Sequence, residues 1–261
     1  MDSKNNTVTK ENKQIVYIAD LDQDVDDVIA AEYLHSKNVL KCIVCDPRPS
    51  SKEGIDREKS LKALGIEVRY KMPPVAKYVF VGGALTLVSE YIKMHSIDTL
   101  VMNGGFAGTN VVNSTNELNK FKGKKYVRTF NFNCDVKATD SVLRSSKRQI
   151  NSIILIGKNV CHDERNTPMG IWSDDEYKEI FDKYKVKPAK LQHDMLACHE
   201  GLASLTDSDK IDVDIDNSYC KYDKLYPCTE SSLAGNMTKW GSTKNTDEST
   251  YRECVVAVGY K

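Results

Sequence analysis

Short apolar runs alternate with segments of helical periodicity through most of the chain. The run that begins at Ile15 ends in acidic residues from Asp20, and apolar residues at helical spacing follow from Val28 to Leu34. Similar runs occur at 41–46, 66–70, 78–83, 97–105 and 152–157, and segments typical of helices occur at 51–64, 85–94, 136–148 and 173–184. Because parallel strands are buried on both faces, this pattern predicts an α/β fold. We expect an open, mostly parallel β-sheet flanked by helices, with a Rossmann-like core.

The two ends of the chain and one internal segment depart from this alternation. Residues 1–13 are polar and lack periodicity, which predicts a disordered N-terminal arm before a single domain of residues 14–261. The polar stretch 106–126 predicts a surface insertion, either a lid over a site or a subunit contact. In the tail, residues 201–261, about the final 50 residues are predicted to be rich in β-structure, after a loop that opens a helix within 191–205. Its predicted strands lie at 211–216 and 253–260.

The charge balance narrows the classes of partner. Lys and Arg number 37, and Asp and Glu also number 37, so no overall positive charge attracts nucleic acid. No run approaches the roughly 18 to 20 apolar residues of a membrane span, and the N-terminus has no apolar core typical of a signal peptide. We therefore expect a cytoplasmic protein that binds neither nucleic acid nor a membrane.

The cysteines are expected to be reduced thiols. The chain has eight of them and no secretory signal precedes them. Cys42 and Cys45 form a CxxC pair inside an apolar run, which is typical of a buried strand rather than a zinc knuckle. Cys220 and Cys228 are too widely spaced to complete a zinc site.

Five aspartates crowd the segment after the first predicted strand. They are Asp20, Asp22, Asp24, Asp26 and Asp27. Like charges a few ångströms apart repel by about 1 kcal/mol per pair in water and by about 4 kcal/mol at an effective dielectric constant near 20. Without a cation such a cluster opposes folding, and parallel sheets bind ligands beyond the carboxyl ends of their strands. The segment is either a solvated acidic turn that caps the next helix or a metal-binding loop.

Spacing separates three kinds of metal-dependent site. An EF-hand loop requires Gly and Glu at the positions of Val25 and Ala31, so that interpretation fails. A phosphatase of the haloacid dehalogenase type requires Thr or Val where this chain has Asp24 or Asp26, so that interpretation is weak. The third pattern, DxDxxxDD, fits at all four acidic positions. These positions are Asp20, Asp22, Asp26 and Asp27.

The DxDxxxDD pattern is that of the inosine-uridine preferring nucleoside hydrolases, and five further segments resemble the same family. They are GGALTLV containing Thr86, MNGG at 102–105, TFNFNCD around Asn131, LIGKNVCH at 155–162, and LQHDMLA around His193 and Asp194. All of them follow the family's order. The chain therefore resembles a divergent member of this family. The resemblance implies a Ca²⁺-dependent hydrolase that cleaves the N-glycosidic bond of a ribonucleoside or related nucleotide, assembled as a homodimer or homotetramer.

The resemblance also implies a metal site and a catalytic base. Asp22, Asp27, Asp194 and the backbone carbonyl of Thr86 match the positions that bind Ca²⁺ in the family. Oxygen ligands of this kind suit a hard cation. The ion would acidify a water molecule, and Asp22 would accept the proton of that water as the general base.

Other positions match the family's contacts to the substrate. Asp26 matches a carboxylate that binds the ribose hydroxyls, and Asn131 matches an amide that contacts the sugar. Asn110 is expected to replace a second such amide. His193 matches a position that in some members of the family helps the leaving base to depart, and imidazole can be protonated near neutral pH.

The chain departs from the family at three places. Gln23 and Asp24 replace a Pro-Gly turn, and Thr129 replaces a Glu on the 5′ side of the sugar. Asp46 and Arg48 lie near the position of a family Asn and are predicted to contact substrate. A cationic Arg48 beside a pocket that has lost an anion favours a phosphorylated or dinucleotide substrate.

Two alternatives stay open at this point. A protein with the same metal and ribose pocket but without efficient turnover would sequester a nucleoside or nucleotide. A Mg²⁺-dependent phosphatase would use the acidic loop and release inorganic phosphate. The hydrolase releases reducing sugar, which neither alternative does.

Overall fold

Strands and helices alternate along the chain as the sequence pattern predicts. The computed structural model describes residues 14–113, 117–208, 210–230, 233 and 235–261. The strands in these residues are β1 (Ile15–Ala19), β2 (Leu40–Cys45), β3 (Val68–Arg69), β4 (Tyr78–Val81), β5 (Ile97–Asn103), β6 (Ile150–Ile156), β7 (Cys220–Thr229), β8 (Trp240–Thr243) and β9 (Cys254–Tyr260). The helices are α1 (Asp26–Ser36), α2 (Lys52–Ala63), α3 (Thr86–Tyr91), α4 (Phe130–Cys134), α5 (Val136–Leu143), α6 (Lys158–Cys161), α7 (Asp175–Lys183) and α8 (His193–Asp207). The predicted arm at 1–13 lies outside the described residues.

The strands form one sheet in the order β3-β2-β1-β4-β5-β6-β9-β7-β8. The strands from β3 to β9 in this order run parallel to their neighbours, and β7 and β8 extend the sheet in antiparallel fashion. In open α/β sheets, ligands bind where the strand order reverses, which here is between β1 and β4. The predicted α/β fold with an open, mostly parallel sheet is confirmed.

Strand β1 shows why its residues form a buried parallel strand. Ile15, Tyr17 and Ala19 belong to an apolar core shared with α1, α7 and α8, whereas Val16 and Ile18 belong to a second core shared with α3 and α5. All five side chains are fully buried. An apolar run without alternation is therefore needed, because helices cover both faces of the sheet.

The tail contains one element that differs from the prediction. Residues 211–216 were expected to form a strand, but they are irregular and β7 begins at Cys220 instead. The apolar members of this segment do alternate in burial: Ile211 is buried, and Val213 and Ile215 pack partly against the core. The period of two thus reflects one-sided packing, and no strand among the described residues pairs with the segment. The predicted closing strand is confirmed as β9, which inserts beside β6.

Two further observations concern the length of the helices and the state of the cysteines. In the part of the chain that the structure describes, no helix combines the length and the apolar character needed to cross a bilayer. All eight cysteines are free thiols, and seven of them are buried. Cys42 and Cys45 both lie in β2, as expected of a strand rather than a zinc knuckle.

Candidate metal centre and ligand cavity

A cavity of about 300 Å³ opens at the carboxyl ends of the central parallel strands. Asp20 directly follows β1, Gly82 directly follows β4, and Asn103 ends β5. The lining residues are Asp20, Gln23, Asp24, Asp26, Asp27, Gly82, Asn103, Gly104, Thr129, Phe130, Asn131, Lys158, Cys161, His162, His193 and Asp194. The volume lies at the lower end of the range of about 300 to 1,000 Å³ that is usual for small-molecule sites.

Two carboxylates enter the cavity from the first turn of α1. Asp26 and Asp27 are 4% and 3% exposed, although aspartates are seldom so deeply buried. The Tyr17 hydroxyl donates a hydrogen bond of 2.8 Å to Asp27 Oδ1, and the backbone N–H of Asp20 donates to the same carboxylate. Strand β1 therefore holds the Asp27 side chain in place from below.

A third carboxylate comes from the first turn of α8. Asp194 is 4% exposed, and Asn103 Nδ2 donates a hydrogen bond of 2.6 Å to its Oδ1. One carboxylate oxygen from each of Asp26, Asp27 and Asp194 lies within 4.8 Å of the other two. We call these three residues the aspartate triad. Residues separated by most of the chain thus meet at one point.

The triad is electrostatically unfavourable without a cation. Burial, and next the charge of Asp24, raise the pKa of Asp26 to about 6. Burial and the charge of Asp26 raise the pKa of Asp27 and of Asp194 well above their usual range. An all-oxygen donor set with excess negative charge fits hard divalent cations as a class, Ca²⁺ and Mg²⁺ alike. The residues present therefore fit a divalent metal.

The backbone after β4 passes very close to the triad at Gly82. A Cβ atom added at Gly82 would lie 2.4 Å from Asp27 Oδ1, 2.4 Å from the Tyr17 hydroxyl oxygen and 3.0 Å from Asp194 Oδ1. Only glycine allows the chain after β4 to pass this close to two of the carboxylates.

Asp22 does not line the cavity in this structure. Its carboxylate accepts hydrogen bonds from the backbone N–H of Ser50 and Ser51, at 2.9 and 3.0 Å, and from both of their hydroxyls. These bonds, led by the one from the Ser51 hydroxyl, lower the pKa of Asp22 to about 2. Asp22 thus binds the start of α2. Asp20 lines the cavity instead, and burial raises its pKa.

Four other predicted site residues also lie outside the cavity lining. Thr86 begins α3, and its hydroxyl donates to Asp135 Oδ2. Asn110 Nδ2 donates to the backbone oxygen of Ser242. The Arg48 guanidinium lies 4.3 Å from the ring centroid of Tyr70. Burial, and after it the nearby charge of Asp20, raise the pKa of Asp46, whose backbone N–H donates to the carbonyl oxygen of Ala19.

Asn131 and His193 do line the cavity, as predicted. Asn131 Nδ2 donates to the backbone oxygens of Gly82 and Asn103, at 2.7 and 2.9 Å, and so ties together the ends of β4 and β5. His193 Nε2 is buried and has no hydrogen-bond partner among the described residues. Burial, followed by the charge of Lys190, lowers the pKa of His193 to about 4, so its imidazole is neutral at pH 7.

The prediction from sequence omitted several residues of the cavity. Asn103 ends β5 and holds Asp194, and Lys158 and His162 follow β6. All three residues meet the criterion that identified the acidic loop: each is a polar residue at or after the carboxyl end of an apolar run. Applied to every strand, that criterion would have identified them.

The segment 106–126 lies beside the cavity. Phe121, in a short 3₁₀ helix at Asn119–Phe121, packs edge-on against Phe106 and His162, with ring centroids 5.3 and 5.5 Å apart. His162 in turn lies 4.9 Å from His193 between ring centroids. The predicted surface insertion therefore supports one wall of the cavity. Residues 114–116 are outside the described part.

The stability of the metal-free protein is expected to reveal the proton on Asp26. Between pH 4 and pH 6 the folded protein holds this proton while the unfolded chain has released it, so rising pH destabilises the wild type. Asp26→Asn lacks this loss. We expect its free energy of unfolding, relative to wild type, to rise by about 3 kcal/mol across this range. Urea denaturation in chelator-treated buffer measures the difference.

Two controls accompany this measurement. The buried neutral imidazoles of His162 and His193, with pKa values lowered to about 3 and about 4, lose stability as pH falls, but they do so in both proteins and cancel in the difference. Asp182→Asn is the matched control, because it makes the same substitution at an exposed position of α7, away from the cavity lining. If the difference in the free energy of unfolding between Asp26→Asn and wild type did not change with pH, this would contradict the burial of an uncompensated carboxylate.

The comparisons with known proteins leave the function open. No family model matches the chain. A protein of Aquifex aeolicus (strain VF5), described only as uncharacterized, is 35% identical over 129 residues. This match covers 45% of the present chain and 43% of the relative, so the chain spans less than half of the relative's length.

Proposed function

We propose that the protein is a Ca²⁺-dependent N-ribosyl hydrolase that cleaves the N-glycosidic bond of a ribonucleoside or related nucleotide. One observation carries this proposal: residues from three separate sequence segments that resemble nucleoside hydrolases line a single cavity. These residues are Asp26 and Asp27, Asn131, and His193 with Asp194. The segments lie far apart in sequence, and their convergence at the strand ends supports the resemblance independently of the motifs.

The triad would hold the metal. Asp26, Asp27 and Asp194 offer carboxylate oxygens close enough to share one divalent cation. When bound, such a cation supplies Lewis acidity that makes a water molecule easier to deprotonate. Asn103 and Tyr17 keep two of the carboxylates oriented through their hydrogen bonds, so the geometry does not depend on flexible loops.

Asp20 is the better-placed proton acceptor for the attacking water. It lines the cavity and its pKa is raised by burial, which brings its basicity closer to what a general base needs. Asp22, the base that the resemblance implies, is bound to the start of α2 and has a pKa of about 2. We therefore propose Asp20 as the base.

His193 and Asn131 would act on the substrate itself. The unpartnered Nε2 atom of His193 is available for a hydrogen bond to the leaving base, and a neutral imidazole serves for that purpose. Asn131 uses its amide N–H groups to tie together the backbone after β4 and β5, which leaves its side-chain oxygen for a sugar hydroxyl. Together they would orient the ribose between the triad and the base.

Release of reducing sugar tests the proposal. A panel of nucleosides, nucleoside 5′-phosphates and nicotinamide ribosides is incubated with Ca²⁺ or with chelator, and reducing sugar and inorganic phosphate are both assayed. We expect chelator-sensitive release of sugar. Asp20→Asn is expected to lower this rate by about 100-fold or more, the usual contribution of a general base. Release of phosphate alone would support the Mg²⁺-dependent phosphatase instead.

Asp22→Asn separates the two candidate bases. We expect it to retain more than half of the turnover and to lose about 1 kcal/mol of stability, because the start of α2 loses a charged acceptor. Loss of turnover in Asp22→Asn, with fold and cation binding intact, would assign the base to Asp22. It would then also require this carboxylate to leave α2 when substrate binds.

A second candidate function is sequestration of a nucleoside or nucleotide. The position of Asp22 favours it, since the carboxylate that the resemblance makes catalytic is bound to Ser51 and is not part of the cavity lining. Such a protein would bind its ligand at one molecule per chain in the presence of Ca²⁺ and return it intact. Recovery of unchanged ligand after prolonged incubation distinguishes it from the hydrolase.

The resemblance carries two further proposals. We propose that the protein is a homodimer or homotetramer and that it acts in the cytoplasm. Light scattering of the purified protein measures the mass of the assembly. A monomer would contradict the first proposal without bearing on the chemistry of the cavity.

A further inference from the structure

One wall of the cavity is basic although its floor is acidic. Lys158 begins α6 after β6, and His162 follows the same helix; both line the cavity. Lys120, from the segment 106–126, approaches His162 from the other side. Lys158 Nζ lies 3.3 Å from His162 Nε2, and Lys120 Nζ lies 3.3 Å from His162 Nδ1. We call Lys158 and His162, together with the exposed Lys120 that contacts His162 from outside the cavity lining, the basic wall.

The basic wall has more hydrogen-bond donors than acceptors. Burial, followed by the charge of Lys158, lowers the pKa of His162 to about 3, so its imidazole is neutral. A neutral imidazole has one acceptor nitrogen and one N–H group. Two ammonium groups that face its two nitrogens therefore find a single acceptor between them. One ammonium group meets an N–H donor, and an oxygen anion would relieve this contact.

No protein carboxylate neutralises the wall in the described residues. Neither Lys120 nor Lys158 is among the lysines that form ion pairs there. Lys190, which lies on the acidic side of the cavity, is paired with Asp24. Burial, and next the charge of Lys120, lower the pKa of Lys158, as expected when an ammonium group lacks a counter-ion.

We propose that the substrate carries a phosphate monoester that binds the basic wall while its sugar hydroxyls face the aspartate triad. A phosphate dianion offers several acceptor oxygens in different directions, which suits donors that approach from two sides of one ring. This inference rests on the proposed function, since it names the substrate class of the same cavity. It also moves anion recognition away from Arg48, which lies on Tyr70 outside the cavity lining.

Calorimetric titration of the Ca²⁺-loaded protein with ribose 5-phosphate, ribose and inorganic phosphate tests the inference. We expect ribose 5-phosphate to bind at least about tenfold more tightly than either ribose or inorganic phosphate. Lys158→Met, which keeps the aliphatic stem, is expected to weaken ribose 5-phosphate by about 10- to 100-fold and ribose by less than about twofold. Lys122→Met, at an exposed position of the same segment as Lys120, is the matched control and is expected to change neither.

Three results would overturn the inference. They are equal affinity for ribose and ribose 5-phosphate, equal weakening of both by Lys158→Met, and inorganic phosphate that binds as tightly as ribose 5-phosphate. Failure of the proposed function gives a different pattern. Lys158-dependent preference for ribose 5-phosphate without release of sugar from any nucleotide would keep the phosphate site and refute the hydrolase. Release of sugar from nucleosides that is insensitive to Lys158→Met would support the hydrolase and refute the phosphate site.

Discussion

Asp194→Asn is expected to abolish both the stabilisation by Ca²⁺ and the release of reducing sugar. The substitution keeps the shape of the side chain, and its amide oxygen can still accept the hydrogen bond from Asn103. It removes one of three carboxylates that converge within 4.8 Å. A neutral amide is a weaker ligand for a hard cation, and the remaining pair of carboxylates gives less charge to hold it. We expect the turnover of the proposed hydrolase to fall by about 1,000-fold or more, since the proposed metal-assisted activation of water would be lost.

Thermal denaturation gives a readout that is independent of turnover. Ca²⁺ at about 100 times its dissociation constant is expected to stabilise the wild type by about 2.7 kcal/mol and to give no such gain in Asp194→Asn. In the presence of chelator, the relative stability of the two proteins is expected to reverse. The variant is expected to be the more stable protein at pH 7, because it lacks a carboxylate whose ionisation is opposed by burial and by Asp26 and Asp27. Asp182→Asn is the surface control, and a variant that kept its response to Ca²⁺ would refute the metal site.

Gly82→Ala is expected to disrupt the triad without replacing any charged residue. The added methyl would lie 2.4 Å from both Asp27 Oδ1 and the Tyr17 hydroxyl oxygen, which is closer than such atoms approach in folded proteins. Both partners are buried, so one of them must move and break their mutual hydrogen bond. Overpacking together with a lost buried hydrogen bond costs about 3 kcal/mol. We expect this loss of stability together with much weaker binding of Ca²⁺.

The neighbouring glycine provides the matched control for this prediction. At Gly83 the nearest atom to an added Cβ is 3.6 Å away, an ordinary contact. Gly83→Ala is therefore expected to change the free energy of unfolding by less than about 0.5 kcal/mol and to leave the binding of Ca²⁺ intact. Urea denaturation and titration with Ca²⁺ measure both variants. Equal behaviour of the two alanine variants would show that the backbone after β4 does not pass close to the triad.

Local sequence determined the strands, the helices and the edge of the sheet where the acids lie. The run from Ile15 to Ala19 has no polar residue, so it forms a stable strand only when it is covered on both faces. Its end positions the acidic loop at the edge where parallel sheets bind ligands. Asp26 and Asp27 follow because they open the next helix, where the helix dipole favours negative charge. These features depend on neighbours within a few residues, and sequence patterns record such neighbours directly.

Only the tertiary structure decided where the long-range partners lie. Asp22 and Asp20 are two residues apart in one loop and look equivalent in sequence, but Ser50 and Ser51 from the start of α2 bind the first while the cavity receives the second. Arg48 binds Tyr70, and Lys120 reaches His162 across 42 positions. The direction of a polar side chain depends on which donor or acceptor the fold brings within about 3 Å. The spacing of residues along the sequence does not give the distance between residues that are far apart in the chain.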